Sequence, residues 1–399
     1  MQRTEPRRRP KDRKLQIAAV AAEAFSARGY HGVGVDEIAA AVGISGPALY
    51  RHFPNKYALF LRAATDLADA LETALVDEDD AALDCADPAE RLNGQLLAAI
   101  RTTVTHRRTA GLYRWESRYL AADDRARIRA TIETVNQRIT DTLTRLRPGL
   151  PARDAAQICV AMLGVIGSIT VHRTTLPPRR LDRLLLGACR AVADVEPVTV
   201  DDDGVPSALP GADASSDDRR EALLGAAVTA FHARGYHDVS IEDIASAAGI
   251  TASGVYRHFT GKADLLAAAF HRAADRLADA TTAALHGADT PRDALTALVD
   301  VYVRLSFQQS ELMSVYVAEL AVLPDGPRTE LRAVQRHNTD RWAHLLADTR
   351  PELSATECRF LVHAAFALVL DVGRIMHFDA TASNQARVRA LVEAVLFGS

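Results

Sequence analysis

Residues 24–56 read AFSARGYHGVGVDEIAAAVGISGPALYRHFPNK, and residues 230–262 read AFHARGYHDVSIEDIASAAGITASGVYRHFTGK. Aligned without a gap, they agree at about half of their positions, with Tyr30 and Tyr236, or Tyr50 and Tyr256, a constant 206 residues apart. Agreement of this extent over this length marks a duplication. It continues more weakly: Pro88 matches Pro291, Tyr113 matches Tyr316, Glu116 matches Glu319, and Arg147-Pro148 matches Arg350-Pro351, all 203 apart. The change of offset puts a three-residue length difference between Leu59 and Pro88, in the acidic stretch around Asp77 to Asp87. A whole unit, and not only its first part, therefore occurs twice.

Each unit reads as helices. Ile17, Ala21, Ala24 and Phe25 recur at helical spacing and stop at Gly29, a residue suited to a left-handed helix end. A second helix begins near Val35 and presents Ile38, Ala39 and Val42 on one face. Gly43 permits a tight turn, a short helix runs from about Gly46 to His52, and Pro54 interrupts it. A long amphipathic helix follows from about Asn55, burying Phe60, Ala64, Leu67, Leu71 and Leu75. Two short helices, a glycine turn and a first helix packed across them describe a helix-turn-helix. The second copy is better capped: Ser240 with Asp243 forms a capping box, where the first copy has Gly34.

The expected organisation is all-α. A basic amino-terminal arm covers 1–14, and a first helix-turn-helix covers 15–60. A first helical ligand and dimerisation domain covers 61–195, and a Pro-, Gly- and Asp-rich linker covers 196–218. A second helix-turn-helix covers 219–266, and a second helical domain covers 267–399.

The short second helix carries the case for nucleic acid. Its amino-terminal positions are Gly46, Pro47 and Ala48 in one copy and Ala252, Ser253 and Gly254 in the other, small enough to let backbone approach a major groove. Tyr50 and Tyr256 can each reach a phosphate or a thymine methyl. Lys56 and Lys262 open the next helix, where a cation opposes the helix dipole and a phosphate partner would explain it. The net charge of −4 hides an asymmetry. Residues 1–60 hold ten Lys/Arg against five Asp/Glu, and residues 217–262 hold five against six. Arg7, Arg8 and Arg9 lie in the arm, which fits either a minor-groove contact or a solvated tail.

The string I-A-x-x-x-G-I-[ST]-x-x-x-[LV]-Y-R-H-F-x-x-K, present twice, closely resembles the TetR family of bacterial repressors. The motif covers about fifty residues of each copy; the rest matches the family in length and helicity. The resemblance implies a DNA-binding transcriptional regulator, a repressor, released by a small effector. It implies phosphate contacts from Ser45, Thr251 and Ser240. Base-edge approach would come from Gly46, Pro47, Ala48, Ala252 and Ser253, and backbone clamping from Tyr50, Arg51, Lys56, Tyr256, Arg257 and Lys262. Gly34 departs from the pattern where many members carry Ser or Thr, which puts a phosphate contact of the first copy in doubt. His52, Phe53, His258 and Phe259 read as core locks of the heads.

Family members dimerise, and here one chain supplies both heads. The segments 152–172 and 354–378 are apolar and rich in small residues (Gly164, Gly167, Ala364, Ala365, Ala367, Gly373), as close helix packing favours. An intrachain pseudo-two-fold bundle is expected from them; ordinary burial within each copy is the alternative. Further association of chains stays open.

Effector-lining candidates are Tyr113, Trp115, Glu116 and Tyr119 in the first copy. In the second they are Phe307, Met313, Tyr316, Glu319, Trp342, His363 and Phe366. Aromatics at helical spacing also describe plain core, and Glu116 or Glu319 also suits a salt bridge. The effector expected is apolar or amphipathic.

Other classes find little support. With 48% hydrophobic and 25% charged residues the chain is an ordinary globular one. No apolar run suggests a membrane span or leader, and Cys85, Cys159, Cys189 and Cys358 form no C-x-x-C pair, which favours reduced thiols in the cytoplasm. No nucleotide, hydrolase or metal motif is present, so neither an enzyme nor a cofactor is expected. The remaining rival is an assembly protein whose heads no longer bind DNA.

Overall fold

A computed structural model describes residues 10–81, 87–108, 112, 119–198 and 217–398. Among them the regular structure is helical, with no strand. In the first copy the helices are α1 (Pro10–Arg28), α2 (Val35–Val42), α3 (Gly46–Tyr50), α4 (Lys56–Ala81), α5 (Pro88–Thr105), α6 (Ala122–Leu146), α7 (Ala152–Gly167) and α8 (Pro178–Ala193). In the second they are α9 (Asp217–Arg234), α10 (Ile241–Ala247), α11 (Ala252–Val255), α12 (Lys262–Leu285), α13 (Pro291–Gln308), α14 (Ser310–Glu319), α15 (Asp325–Thr349), α16 (Ala355–Ile375) and α17 (Ala382–Phe397).

Local chemistry sets the helix ends. Gly29 and Gly43 take φ of 72° and 74°, the left-handed conformation that stops α1 and α2. Ser240 accepts from the Asp243 N–H at 3.1 Å and its own N–H reaches the Asp243 carboxylate at 2.9 Å, closing the expected capping box. In the first copy only half of that arrangement survives, the Gly34 N–H on Glu37 at 3.4 Å.

Two boundaries differ from the sequence expectation. The arm was expected to reach residue 14, but α1 begins at Pro10. Arg13 bonds Gln16 and the Val42 carbonyl, and Lys14 lies over the Phe53 ring at 5.4 Å, so both belong to the head. The recognition helices are also shorter than expected, ending at Tyr50 and Val255.

The chain divides into two compact units, 1–138 and 139–399, and this division does not follow the copies. The first unit holds one head, whose core joins Ile17, Phe25, Ile38, Leu49 and Phe60. The second holds the other head, with Leu224, Phe231, Ile244, Val255 and Phe270 in its core, and also the last helices of the first copy. There α7 packs on α16 and α8 on α17. Equivalent helices thus meet equivalent helices, as a pseudo-two-fold bundle requires.

The bundle is tight and mostly apolar. Cys159, Met162, Val165, Cys358, Leu361, Ala364, Ala365 and Leu368 are all buried. The stretch Ala152–Thr170, which by length and apolarity alone would suit a membrane, owes that character to this packing. A Cβ on Gly164 would lie 3.2 Å from the Leu368 Cα, so the glycine permits the close approach of α7 to α16. At the rim, Asp154 pairs with Arg387 at 3.6 Å, Arg153 bonds Asn384 at 3.2 Å and Glu357 pairs with Arg180 at 3.4 Å. Gly373 has another role than the expected interface one: the Phe378 ring of its own copy sits where its Cβ would be.

Overpacking the seam tests its tightness. Gly164→Val should lower stability by about 1–3 kcal/mol, read as a fall in the urea midpoint of the full chain. A variant as stable as the parent would mean that the helices are not held at this spacing.

Candidate nucleic-acid interface

The two recognition helices are presented outward by the same device. Their inner side is fixed by Leu49 and Val255, both fully buried, and by Phe53 and Phe259 one turn on, as expected for core locks; the histidines expected beside them are not, His52 being half-buried and His258 exposed. Their outer side carries Tyr50, 49% exposed, and Tyr256, 56% exposed. The two rings are exposed at equivalent places in the repeat. Ser45, Pro47, Arg51, Thr251, Ser253 and Arg257 are exposed beside them, and Gly46, Ala48 and Ala252 are half-buried.

The surface differs between the copies in how its helix starts. Ser45 makes no side-chain cap, and Pro47 occupies the first turn instead. Thr251 caps α11 by accepting from the Gly254 N–H at 3.3 Å, and its hydroxyl lies 3.0 Å from that of Ser253. A phosphate contact from Ser240 would use its hydroxyl hydrogen, because the oxygen already caps α10. Gly46 has a second reason to be small: a Cβ there would lie 2.5 Å from the Asp36 carboxylate.

The two lysines are engaged within the protein. The Lys262 ammonium donates to the carbonyls of Tyr236, His237 and Val239 at 2.8, 3.4 and 2.6 Å, one acceptor for each of its three hydrogens. It also lies 4.7 Å from the centre of the Tyr236 ring, as Lys56 lies 4.6 Å from that of Tyr30. Burial pushes the Lys56 ammonium below its ordinary pKa. The sequence assigned these cations to the DNA backbone; the structure engages them in tying the α1–α2 and α9–α10 turns to the long helix that follows.

The same turns receive residues that the sequence placed in an effector pocket. Tyr119 stacks on Tyr30 at 5.7 Å and meets His31 edge-on at 4.8 Å. Glu319, buried, accepts from the Tyr236 N–H at 2.9 Å. Tyr316 packs edge-on against Phe270 at 5.0 Å within the second head's core. These three join head to helical domain.

The other candidates in the second copy are also engaged in packing. Trp342 and Phe366 meet at 5.0 Å and close on Tyr302, at 5.9 and 4.5 Å, to form an aromatic trio. Phe307 meets Phe378 at 5.6 Å. His363 stacks on His172 at 4.3 Å, which places it on the bundle between the copies. Met313 is half-buried on α14. Arg7, Arg8, Arg9, Tyr113, Trp115, Glu116 and Cys85 lie outside the described residues. The remaining cysteines are buried, and burial raises the Cys189 thiol pKa, as inert core filler requires. Sequence reasoning missed Tyr302 and the coupling role of Tyr30 and Tyr236. The repeated Gly-Tyr-His at 29–31 and 235–237 was the available signal for the latter.

Comparison with known proteins agrees with this geometry. The profile described as bacterial regulatory proteins, tetR family, matches residues 17–63 and again 223–269. The HTH-type transcriptional activator FasR of Mycolicibacterium smegmatis is 29% identical over 160 residues, 40% of this chain and 71% of that protein. The HTH-type transcriptional regulator BetI of Rhizobium meliloti is 32% identical over 113 residues, 28% of this chain and 54% of its own length. Among solved structures, a TetR-family transcriptional regulator from Bordetella parapertussis is similar at 23% identity and a TM-score of 0.41, covering 45% of this chain and 94% of that one.

The lysine lock can be probed without DNA. Lys262→Met should cost about 1.5–3 kcal/mol, the range for hydrogen bonds from a charged donor, and should speed amide exchange across residues 236–239. Unchanged exchange there would show that the ammonium does not hold the turn.

Proposed function

Because the chain belongs to the tetR family of bacterial regulatory proteins and carries the family's DNA-binding domain twice, we propose that one polypeptide acts as a self-contained pair of unlike reading heads. The chain is a DNA-binding regulator; the proposal concerns what it reads and how it is controlled. The observation that carries the reading is the packing of α7 on α16 and α8 on α17. A family that dimerises presents identical heads to a palindrome. Here the partner helices come from the same chain, so the reading heads are Gly46-Pro47-Ala48 and Ala252-Ser253-Gly254. Two such sequences cannot favour the same base edges, and the operator is an asymmetric site or an imperfect palindrome.

Affinity is unequal in this reading. Residues 1–60 carry an excess of cations and residues 217–262 do not. The first head with its arginines at 7, 8 and 9 supplies most of the phosphate neutralisation, and the second adds sequence discrimination. Control comes from an apolar or amphipathic effector among the helices behind a head. A shift of α14 would be passed to the second head through Glu319 and the Tyr236 N–H. Repression by occupancy is the simplest output of a chain built from reading heads and helical bundles. A promoter-reporter assay decides the sign, since one relative is named an activator.

Selection of bound fragments from random duplex DNA by the full chain, followed by footprinting, tests the central point. Two different half-sites should be enriched together. A perfect palindrome would instead mean that equal heads from two chains do the reading, and no enrichment would favour an assembly protein without DNA. On the selected site, Tyr50→Ala and Tyr256→Ala should each weaken binding roughly ten-fold, about 1.4 kcal/mol. Removing residues 1–9 should lower affinity and flatten its salt dependence; equal affinity and slope would refute the arm's role.

A further inference from the structure

An open cavity of about 390 Å³ lies where α9, α12 and the α13–α14 junction meet in the second copy, lined by Thr229, Arg272, Arg276, Gln308, Gln309 and Ser310 among others. Two guanidinium groups crowd its α12 wall. Arg272 and Arg276 share one carboxylate, Glu221, the second guanidinium reaching it at 3.2 Å. The Arg272 Nε is buried without an acceptor, an under-satisfied donor in a group that favours paired acceptors. Burial, together with Arg276 and Arg220 close by, draws the Arg272 pKa down to about 10, as expected where cations crowd. The other carboxylate on the wall, Glu311, accepts from the Thr229 hydroxyl at 2.8 Å. The ten-residue α14 opens onto this cavity with no side-chain cap at Gln309, so the first amides of the helix point the positive end of its dipole there.

The first copy serves as an internal reference. At the position of Arg272 it carries Asp66, and at that of Gln309 it carries His106, with the His106 Nε2 3.3 Å from the Asp66 carboxylate. At the positions of Thr229 and Glu311 it carries Glu23 and Arg108, paired at 2.9 Å. There these four positions form complementary ion pairs, and the open cavity of about 560 Å³ that Asp66 and His106 line is flanked by carboxylates of Asp66, Asp69 and Asp77. In the second copy the charge at the first of these positions is reversed and its facing partner is a neutral amide.

We propose that the second copy's junction is a binding site for a small oxyanion, the phosphate or carboxylate group of a metabolite, held by Arg272, Arg276 and the opening amides of α14. The anion would bridge α12, the long helix that follows the second recognition helix, to the helix that carries Glu319, stiffening the joint through which that head is held. Binding itself stands apart from the regulatory reading; its consequence for DNA rests on that reading.

The test is calorimetric titration of the full chain with inorganic phosphate and, separately, with citrate, in a chloride buffer of constant ionic strength. Saturable binding of either probe is expected, with the preferred one identifying the oxyanion class. Arg272→Gln and Arg276→Gln should each weaken it ten-fold or more. Glu221→Gln, which removes the competing carboxylate, should tighten it several-fold, a gain that misfolding cannot imitate. No saturable binding, or equal affinity in all four proteins, overturns the proposal. Titration of the selected DNA alongside separates the two ideas. Intact DNA binding without anion binding removes only the anion site, and anion binding without DNA binding removes only the regulator reading.

Discussion

The approach of α7 to α16 at Gly164 is the contact on which the architecture turns. Helices come this close most readily where a side chain is missing, and a methyl group at Gly164 would press on the facing Leu368 backbone at 3.2 Å. Because these helices come from different copies, burying their apolar faces joins the copies in one polypeptide. The compact divisions of the chain follow that burial and not the repeat: residues 139–195 belong by sequence to the first copy and by packing to the second unit. A covalent linker makes the partner's local concentration high without any further interface. Two heads that need not be identical become possible as a result.

Each head is then held by a small set of polar contacts at one turn. In the second copy the Tyr236 N–H meets the buried Glu319, its carbonyl meets Lys262, and its ring lies under the same ammonium. In the first copy Tyr30 lies between Lys56 and Tyr119. Buried charges of this kind are costly unless satisfied, and their satisfaction by backbone groups makes the turn a defined joint and not a hinge of loose chain. The turn thereby ties the first two helices of the head to α12 and α14.

The copies have diverged most where their helical domains are filled and joined. Tyr302, Trp342 and Phe366 pack together in the second copy, and the positions 203 residues earlier are Ala99, Ile139 and Leu163. Aromatic rings in mutual contact fill space that aliphatic side chains of that size do not. At the head junction the divergence is in charge, Asp66 against Arg272 and His106 against Gln309.

Much of this was legible in the linear chain. The repeat, the helix stops at Gly29 and Gly43, the cap at Ser240, the inward Phe53 and Phe259 and the outward Tyr50 and Tyr256 follow from periodicity and local backbone chemistry, which neighbouring residues decide. The apolar, glycine-containing stretches also announced a helix seam. What the chain could not disclose was which groups meet across long separations. Lys262 reads as a phosphate clamp until the carbonyls of residues 236, 237 and 239 are seen around it. That Glu319, Tyr316 and Tyr119 reach the heads is likewise visible only in the fold. An aromatic or a carboxylate at helical spacing carries no label for its partner, because spacing fixes only the face it occupies. The tertiary structure alone decides what packs against that face.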